Sequence, residues 1–256
     1  MMRFASLGSG SEGNALVVEA GGTRLLLDCG FGLADTGARL GRLGLRPEQL
    51  DAVVVTHEHD DHVGGVARFA RKFDLPVWLT HGTFAAAEQA LSDSVRLNWI
   101  EGFAPFAIGA IEVAPFAVPH DAREPAQFVF GDGAHRLGVL TDAGGPTPHI
   151  AAALGGCDAL VLECNHDLDM LEGGTYPEPL KRRIAGPLGH LDNRSAARLL
   201  AGLETGRLQH VIAAHLSKRN NRPDLAQDAL AGALGCERDW VGIATQEQGF
   251  DWRQIA

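Results

Sequence analysis

Residues 53–65 read VVVTHEHDDHVGG. Six consecutive residues, His57 to His62, are imidazole or carboxylate, and they follow a β-branched apolar run. A continuous apolar run of this kind is the pattern of a strand buried on both faces. A chain that opens such a strand directly into three histidines and three acids must gather that charge at a strand end. In extended backbone, residues two apart project to the same side, so His57 and His59 can grip one ion together. A helix starting near Asp61 would turn the chain there and aim Asp61 and His62 at a second ion. Glu58 and Asp60 fall on the opposite side and read as supporting or solvated acids. Imidazole with carboxylate suits zinc, iron or manganese, since calcium and magnesium prefer all-oxygen cages.

One loop cannot complete two coordination shells, so further donors must come from elsewhere. His120 stands in AVPHDA, Asp142 ends the apolar run RLGVLTD, and His215 sits in HVIAAHLS. All three lie at the C-terminal ends of strand-like runs, where a shared site can be built. His81, His135, His149 and His210 fit no ligand pattern and read as ordinary surface or core histidines.

The rest of the chain alternates short strands with amphipathic helices. Strand patterns cover 14–20, 23–28 and 52–56, and helical spacing covers ADTGARLGRLGL and HVGGVARFARKF. The middle, from FAPFAIGAIEVAPFAV to AQFVFGDGAHRLGVLTD, reads as hairpins with glycine-containing turns. Strand CDALVLEC, helix NRSAARLLAGLE, strand HVIAAHLS and helix PDLAQDALAGAL then repeat the rhythm. Two sheets packed face to face with helices outside, an αββα sandwich of the α/β (α+β) class, suit this order. No linker divides the 256 residues, so one domain over 1–256 is expected. No apolar stretch reaches the ~20 residues of a membrane helix, and the start lacks a signal-peptide core. The four cysteines form no paired spacing, which suits reduced thiols and a cytoplasmic setting.

The motif HxHxDH, followed by His120, Asp142 and His215, resembles the metallo-β-lactamase superfamily of metallohydrolases. That resemblance implies a four-layer αββα sandwich in which His57, His59 and His120 hold one metal. Asp61, His62 and His215 would hold the second, with Asp142 bridging. β-Lactamases themselves usually carry cysteine at the Asp142 position, which disfavours antibiotic hydrolysis. Over almost the whole chain, SLGSGSEGNALVVE, THEHDDHVGG, VPHDAREPAQFVF, LVLECNHDLDML, YPEPLKRRI, GHLDN and AHLSKRNN resemble the YycJ/WalJ branch. That branch is linked to 5′-to-3′ DNA exonuclease activity and is related to tRNase Z and RNase J. The chain has no room between Asp142 and His215 for the clamping domain of RNase J, and shows no long arm of the tRNase Z kind.

The resemblance implies two divalent ions, zinc or manganese or else iron, that activate a bridging hydroxide and accept phosphate oxygens. It also implies His190, in GHLDN, as general acid oriented by Glu163; Asp61 joins them in the catalytic set. His166 is open to three readings: a proton carrier, a further ligand or a structural contact. The formal net charge of −10 opposes a nucleic-acid substrate, although two dications bring it nearer −6. Lys181, Arg182 and Arg183, and Lys218, Arg219 and Arg222, form local basic stretches that could hold phosphates. The glycine-rich loop at 8–14 reads as turn chemistry. Two functions fit: a phosphodiesterase acting on DNA ends, with RNA second, or a thioester or lactone hydrolase of the glyoxalase II-like kind.

Overall fold

The computed structural model describes residues 1–91 and 95–256. Its strands in chain order are β1 (Met2–Gly8), β2 (Ala15–Ala20), β3 (Thr23–Leu27), β4 (Ala52–Val54), β5 (Pro76–Leu79), β6 (Arg96–Trp99) and β7 (Phe106–Ile108). They continue with β8 (Ile111–Ala117), β9 (Ala126–Gly131), β10 (Arg136–Leu140), β11 (Ala159–Glu163), β12 (His210–Ala214), β13 (Val241–Ile243) and β14 (Phe250–Ile255). One sheet runs β14-β1-β2-β3-β4-β5-β6 and the other β13-β12-β11-β10-β9-β8-β7. β3 to β6 are parallel to one another, as are β10 to β13, while β7 to β10 form the expected antiparallel hairpins.

Side-chain alternation explains the layers. Val18, Leu25 and Val54 face the other sheet, where they meet Phe128, Val139, Val161 and Ile212. Their neighbours Val17, Leu26 and Val53 face the opposite way, onto α1 (Leu33–Arg42), through Leu40, and past a short α2 (Asp60–Val63) onto α3 (Val66–Phe73), through Val66 and Phe69. α4 (His81–Leu91) covers the same face through Ala87 and Leu91. On the second sheet, Leu140, Leu160, Leu162 and Val211 pack under three helices. These are α5 (Pro148–Leu154), α8 (Asn193–Ala201) and α9 (Pro223–Leu234); α6 (Leu168–Gly173) and α7 (Glu178–Ile184) lie between α5 and α8 in the chain. A strand buried on both faces has no polar side to show, which is why these runs are continuously apolar. The four-layer αββα sandwich expected from the sequence is the observed fold.

One expectation needs correction. The helix anticipated through HVGGVARFARKF is two helices, broken at Gly64 and Gly65. Gly65 donates to Cys29 O at 2.7 Å, and a Cβ there would lie 1.9 Å from Phe31 O. The glycine lets the chain after the histidine cluster touch the loop after β3, and that contact interrupts the helix.

All four cysteines are free, and three are buried. Burial pushes the Cys157 thiol up to about 11 and Cys29 up to about 12, and raises Cys164 as well. Thiolate is the reactive form. A thiol reagent at neutral pH should therefore label Cys236 alone in the native protein and all four after unfolding, as read by mass spectrometry. Rapid native labelling of Cys29 or Cys164 would contradict this packing.

Candidate metal centre

The chemistry-bearing residues meet because strand ends do. Asp28 follows β3, His57 stands just beyond β4, Asp142 follows β10, Glu163 ends β11 and His215 follows β12. Ligand sites in sheets of this type form outside the carboxyl ends of parallel strands. Asp28, Asp142 and His215 each take positive φ, at 60°, 55° and 56°. Left-handed backbone is costly for a residue with a Cβ, and it swings each side chain off its strand into the seam between the sheets.

Two donor groups result. Nε2 of His57 lies 3.0 Å from Nδ1 of His59, which lies 3.3 Å from Nε2 of His120. Oδ2 of Asp61 lies 3.4 Å from His62 Nε2 and 3.3 Å from His215 Nε2. Asp142 sits between the groups, with Oδ2 at 3.0 Å from His62 Nε2 and Oδ1 at 3.5 Å from His215 Nε2 and 3.9 Å from His120 Nε2. The structure thus brings together all seven residues that the sequence singled out.

The far ring nitrogens are tied down. His57 Nδ1 meets Thr56 Oγ1 at 3.0 Å, His62 Nδ1 meets Asp28 Oδ2 at 2.7 Å, and His120 Nδ1 donates to Gly189 O at 3.0 Å. An acceptor at the far nitrogen keeps the proton there and leaves the near lone pair free. Thr56 Oγ1 in turn donates a hydrogen bond to Asp28 Oδ2 at 2.9 Å, so Asp28 steadies both His57 and His62. Asn14 performs a similar service for Asp61: its N–H donates to Asp61 O at 2.7 Å and its Nδ2 to Asp61 Oδ2 at 3.2 Å. Sequence reasoning passed over Asp28, Thr56 and Asn14. The signal for Asp28 was present, since it ends LLLD as Asp142 ends GVLTD.

The donor set fits divalent ions. Asp142 Oδ2 is buried, with His62 Nε2 as a close polar neighbour at 3.0 Å and no well-aligned hydrogen bond among the described residues. Three carboxylates, Asp28, Asp61 and Asp142, lie within 3.4 Å of His62 nitrogens, a concentration of negative charge that calls for cations. Burial opposes protonation of His62, yet those carboxylates hold its pKa well above the ordinary value. Burial, with His62 adding to it, drives His57 well below, toward the neutral form that binds metal.

His190 and Glu163 stand beside the donors. His190 Nδ1 lies 2.8 Å from Glu163 Oε1 and 3.4 Å from Asp142 Oδ1. Burial lowers the His190 pKa, but Glu163, then Asp142 and Asp61, outweigh it and push it up to about 9. Glu163 is fully buried, and its Oε2 also accepts from Ala143 N at 2.9 Å and Leu191 N at 3.1 Å. A cavity of about 180 Å³ opens over this cluster, lined in part by Asp61, Asp142, Arg183, His190 and His215.

The remaining expectations separate cleanly. His166 is buried with neither ring nitrogen bonded, and it joins none of the donor groups found among the described residues. Glu58 accepts from Arg123 N, and Asp60 is exposed. His81, His135 and His210 pair with Glu101, Asp132 and Gln254 O, and His149 packs on Phe116. Of the two basic stretches, only Arg183 reaches the cavity. Lys181 bonds Glu172 O, Lys218 pairs with Glu12 and Glu247, Arg222 with Asp224, and Arg219 lies over Tyr176.

Two packed sheets with histidines and aspartates converging at their strand ends define a metal-dependent hydrolase, and the chain belongs to the superfamily described as "Beta-lactamase superfamily domain", whose profile matches residues 23–215. Within it the chain groups with the YycJ/WalJ exodeoxyribonucleases. It is 36% identical to Exodeoxyribonuclease YycJ of Bacillus anthracis over 98% of this chain and 96% of that protein. It is 32% identical to Exodeoxyribonuclease WalJ of Streptococcus pneumoniae D39 over 94% of this chain and 91% of that protein. The crystal structure of the metallo-beta-lactamase fold protein YhfI from Bacillus subtilis superposes with a TM-score of 0.77 at 18% identity, covering 98% of each chain. That last likeness speaks to the fold alone.

Purified protein should carry up to two divalent ions per chain by elemental analysis. Asp142→Ala should cut that content sharply. Asp28→Asn, which keeps the shape beside His62 but removes the charge, should weaken binding of one ion ~10–100-fold by competitive titration. Unchanged affinity in Asp28→Asn would remove it from the metal centre's support.

Proposed function

We propose that the protein is a dinuclear metal-dependent exonuclease that shortens DNA from a 5′ end, with RNA ends a secondary substrate. The assigned ligands are His57, His59 and His120 for one ion and Asp61, His62 and His215 for the other, Asp142 serving both. Zinc or manganese suits this mixed set, and iron remains compatible with it. When bound, the ions supply Lewis acidity toward a phosphodiester and acidify water for attack.

The observation that carries the reading is the His190–Glu163 pair, 2.8 Å apart at the wall of the donor cluster. A phosphodiester expels a 3′-oxygen, a poor leaving group that needs a proton; a thioester expels a thiolate, which does not. A buried acid holding an imidazole beside the donors suits the first chemistry, and so do the exodeoxyribonuclease names of the relatives. Glu163 fixes the ring through Nδ1, leaving Nε2 to present the proton to the departing oxygen. Asp61 joins the catalytic residues in this reading because it lines the same cavity as His190.

The four free cysteines support a cytoplasmic setting; among the described residues no helix is long and apolar enough to cross a membrane. A single domain is supported by the pairing of β14 with β1, Met2 opposite Ile255, which draws residues from far apart in the chain into one sheet.

Labelled DNA and RNA, with Mn²⁺ or Zn²⁺ supplied, should lose nucleotides from the 5′ end in a chelator-sensitive reaction, DNA faster than RNA. Thioester turnover without attack on any oligonucleotide would move the answer to the other function class.

The His190→Ala variant separates proton supply from metal binding. It should fold, keep both ions and lose about 10²–10⁴ in kcat on DNA with KM little changed. On a nitrophenyl phosphodiester, whose leaving group needs little protonation, it should recover most of its rate. Equal losses on both substrates would take the proton-donor role away from His190.

A further inference from the structure

We infer that Arg183 binds the 5′-phosphate of the nucleotide being released, so that the site prefers DNA ends that carry one. The inference rests on the exonuclease reading above and adds to it the residue that reads the end.

Arg183 is the one lysine or arginine among the residues lining the catalytic cavity, a lining it shares with three carboxylates, Asp61, Asp121 and Asp142. Its Nε donates to Asp121 Oδ2 at 2.7 Å, and no hydrogen bond engages its two terminal nitrogens among the described residues. The side chain remains 64% exposed, so the pair with Asp121 orients the guanidinium without burying it. A guanidinium anchored at one nitrogen, with the others open to solvent, matches the fork that takes phosphate oxygens. Neighbouring cations are spent elsewhere or lie outside the cavity: Lys181 bonds Glu172 O and Glu178, and Arg182 does not line it.

Placement relative to His190 decides which phosphate is meant. The main chain from α7 to His190 forms one tight piece. His190 N donates to Ile184 O at 2.9 Å, and a Cβ on Gly189 would lie 2.1 Å from Ile184 O and 2.3 Å from Arg183 O. Arg183 and the proton donor are therefore fixed to each other across a close backbone contact. If His190 serves the departing 3′-oxygen, the sugar bearing that oxygen lies on the α7 side of the cavity. The next anionic group on that sugar is its own 5′-phosphate, and the guanidinium, held by Asp121 through Nε alone, stands on that side. A 5′-terminal phosphate has no further nucleotide attached, so a cavity walled on one side by Leu180, Arg183 and Ile184 of α7 can accept it.

The test compares oligonucleotides identical except for a 5′-phosphate or 5′-hydroxyl, with wild type, Arg183→Ala, Arg183→Lys and Arg253→Ala. Wild type should show the lower KM on the phosphorylated end. Arg183→Ala should raise that KM about tenfold, the size of one charge-assisted contact, and bring the two ends together, with kcat much less affected. The logarithmic salt slope for the phosphorylated strand should fall by about 0.7–0.9. Arg183→Lys should restore part of the discrimination. Arg253→Ala, which removes the same charge from the exposed face of β14, should change neither end. A purely structural Arg183–Asp121 tie would raise KM on both ends alike, and that result, or an intact preference in Arg183→Ala, overturns the inference. Fluorescence anisotropy in a His190→Ala background reads the same preference with turnover slowed ~10²–10⁴-fold. If no strand is cleaved the proposed function fails, while the binding comparison still decides Arg183.

Discussion

The site depends on one buried carboxylate, that of Glu163. It is fully enclosed at the end of a central strand, and an enclosed charge is tolerable only when donors surround it. Its donors are Ala143 N, Leu191 N and His190 Nδ1, at 2.9, 3.1 and 2.8 Å. Ala143 follows Asp142, and Leu191 follows His190, so satisfying this single acid fixes both the loop of Asp142 and the loop of His190. His215 Nδ1 lies only 3.6 Å from the same oxygen as His190. One acid thus sets the spacing between His190 and the cluster of histidines and aspartates, and α7 is tied to the same point through the bond from His190 N to Ile184 O.

The parts legible in the sequence were those with local pattern. Continuous apolar runs marked β2, β3, β4, β11 and β12, and the order of hairpins and helices gave the layers. The cluster at His57–His62 announced itself because no buried strand ends in six polar residues by chance. Asp28 was hidden for a topological reason. It meets His62 only because β3 and β4 pair in parallel, Leu27 opposite Val54, which carries both strand ends to one side. Asn14 was hidden similarly, its partner Asp61 lying 47 residues away. The helix break at Gly65 depends on crowding by Phe31 O, which no periodicity contains. The basic stretches could not be sorted from sequence, because Lys181, Lys218 and Arg222 are neutralised by acids and carbonyls that folding brings to them.

The acidic balance also takes a different meaning once the charges are placed. Much of the negative charge near the seam is bound to specific imidazoles, and Asp28, Asp61 and Asp142 are arranged around His62 rather than spread over a surface. A polyanion approaching this chain meets a repelling exterior and a small centre built to hold cations. Attraction of that sort acts at short range, because solvent and salt screen the rest.

Asp28, Asp142 and His215 hold left-handed backbone at 60°, 55° and 56°. Each such residue costs on the order of 1–3 kcal/mol, which glycine would relieve in part. Selection for heat tolerance alone would push these three positions toward glycine or asparagine, and each step would yield a sturdier protein with a poorer centre. A thermostability library drawn from this chain would have to hold all three fixed, or it would enrich well-folded, inert descendants.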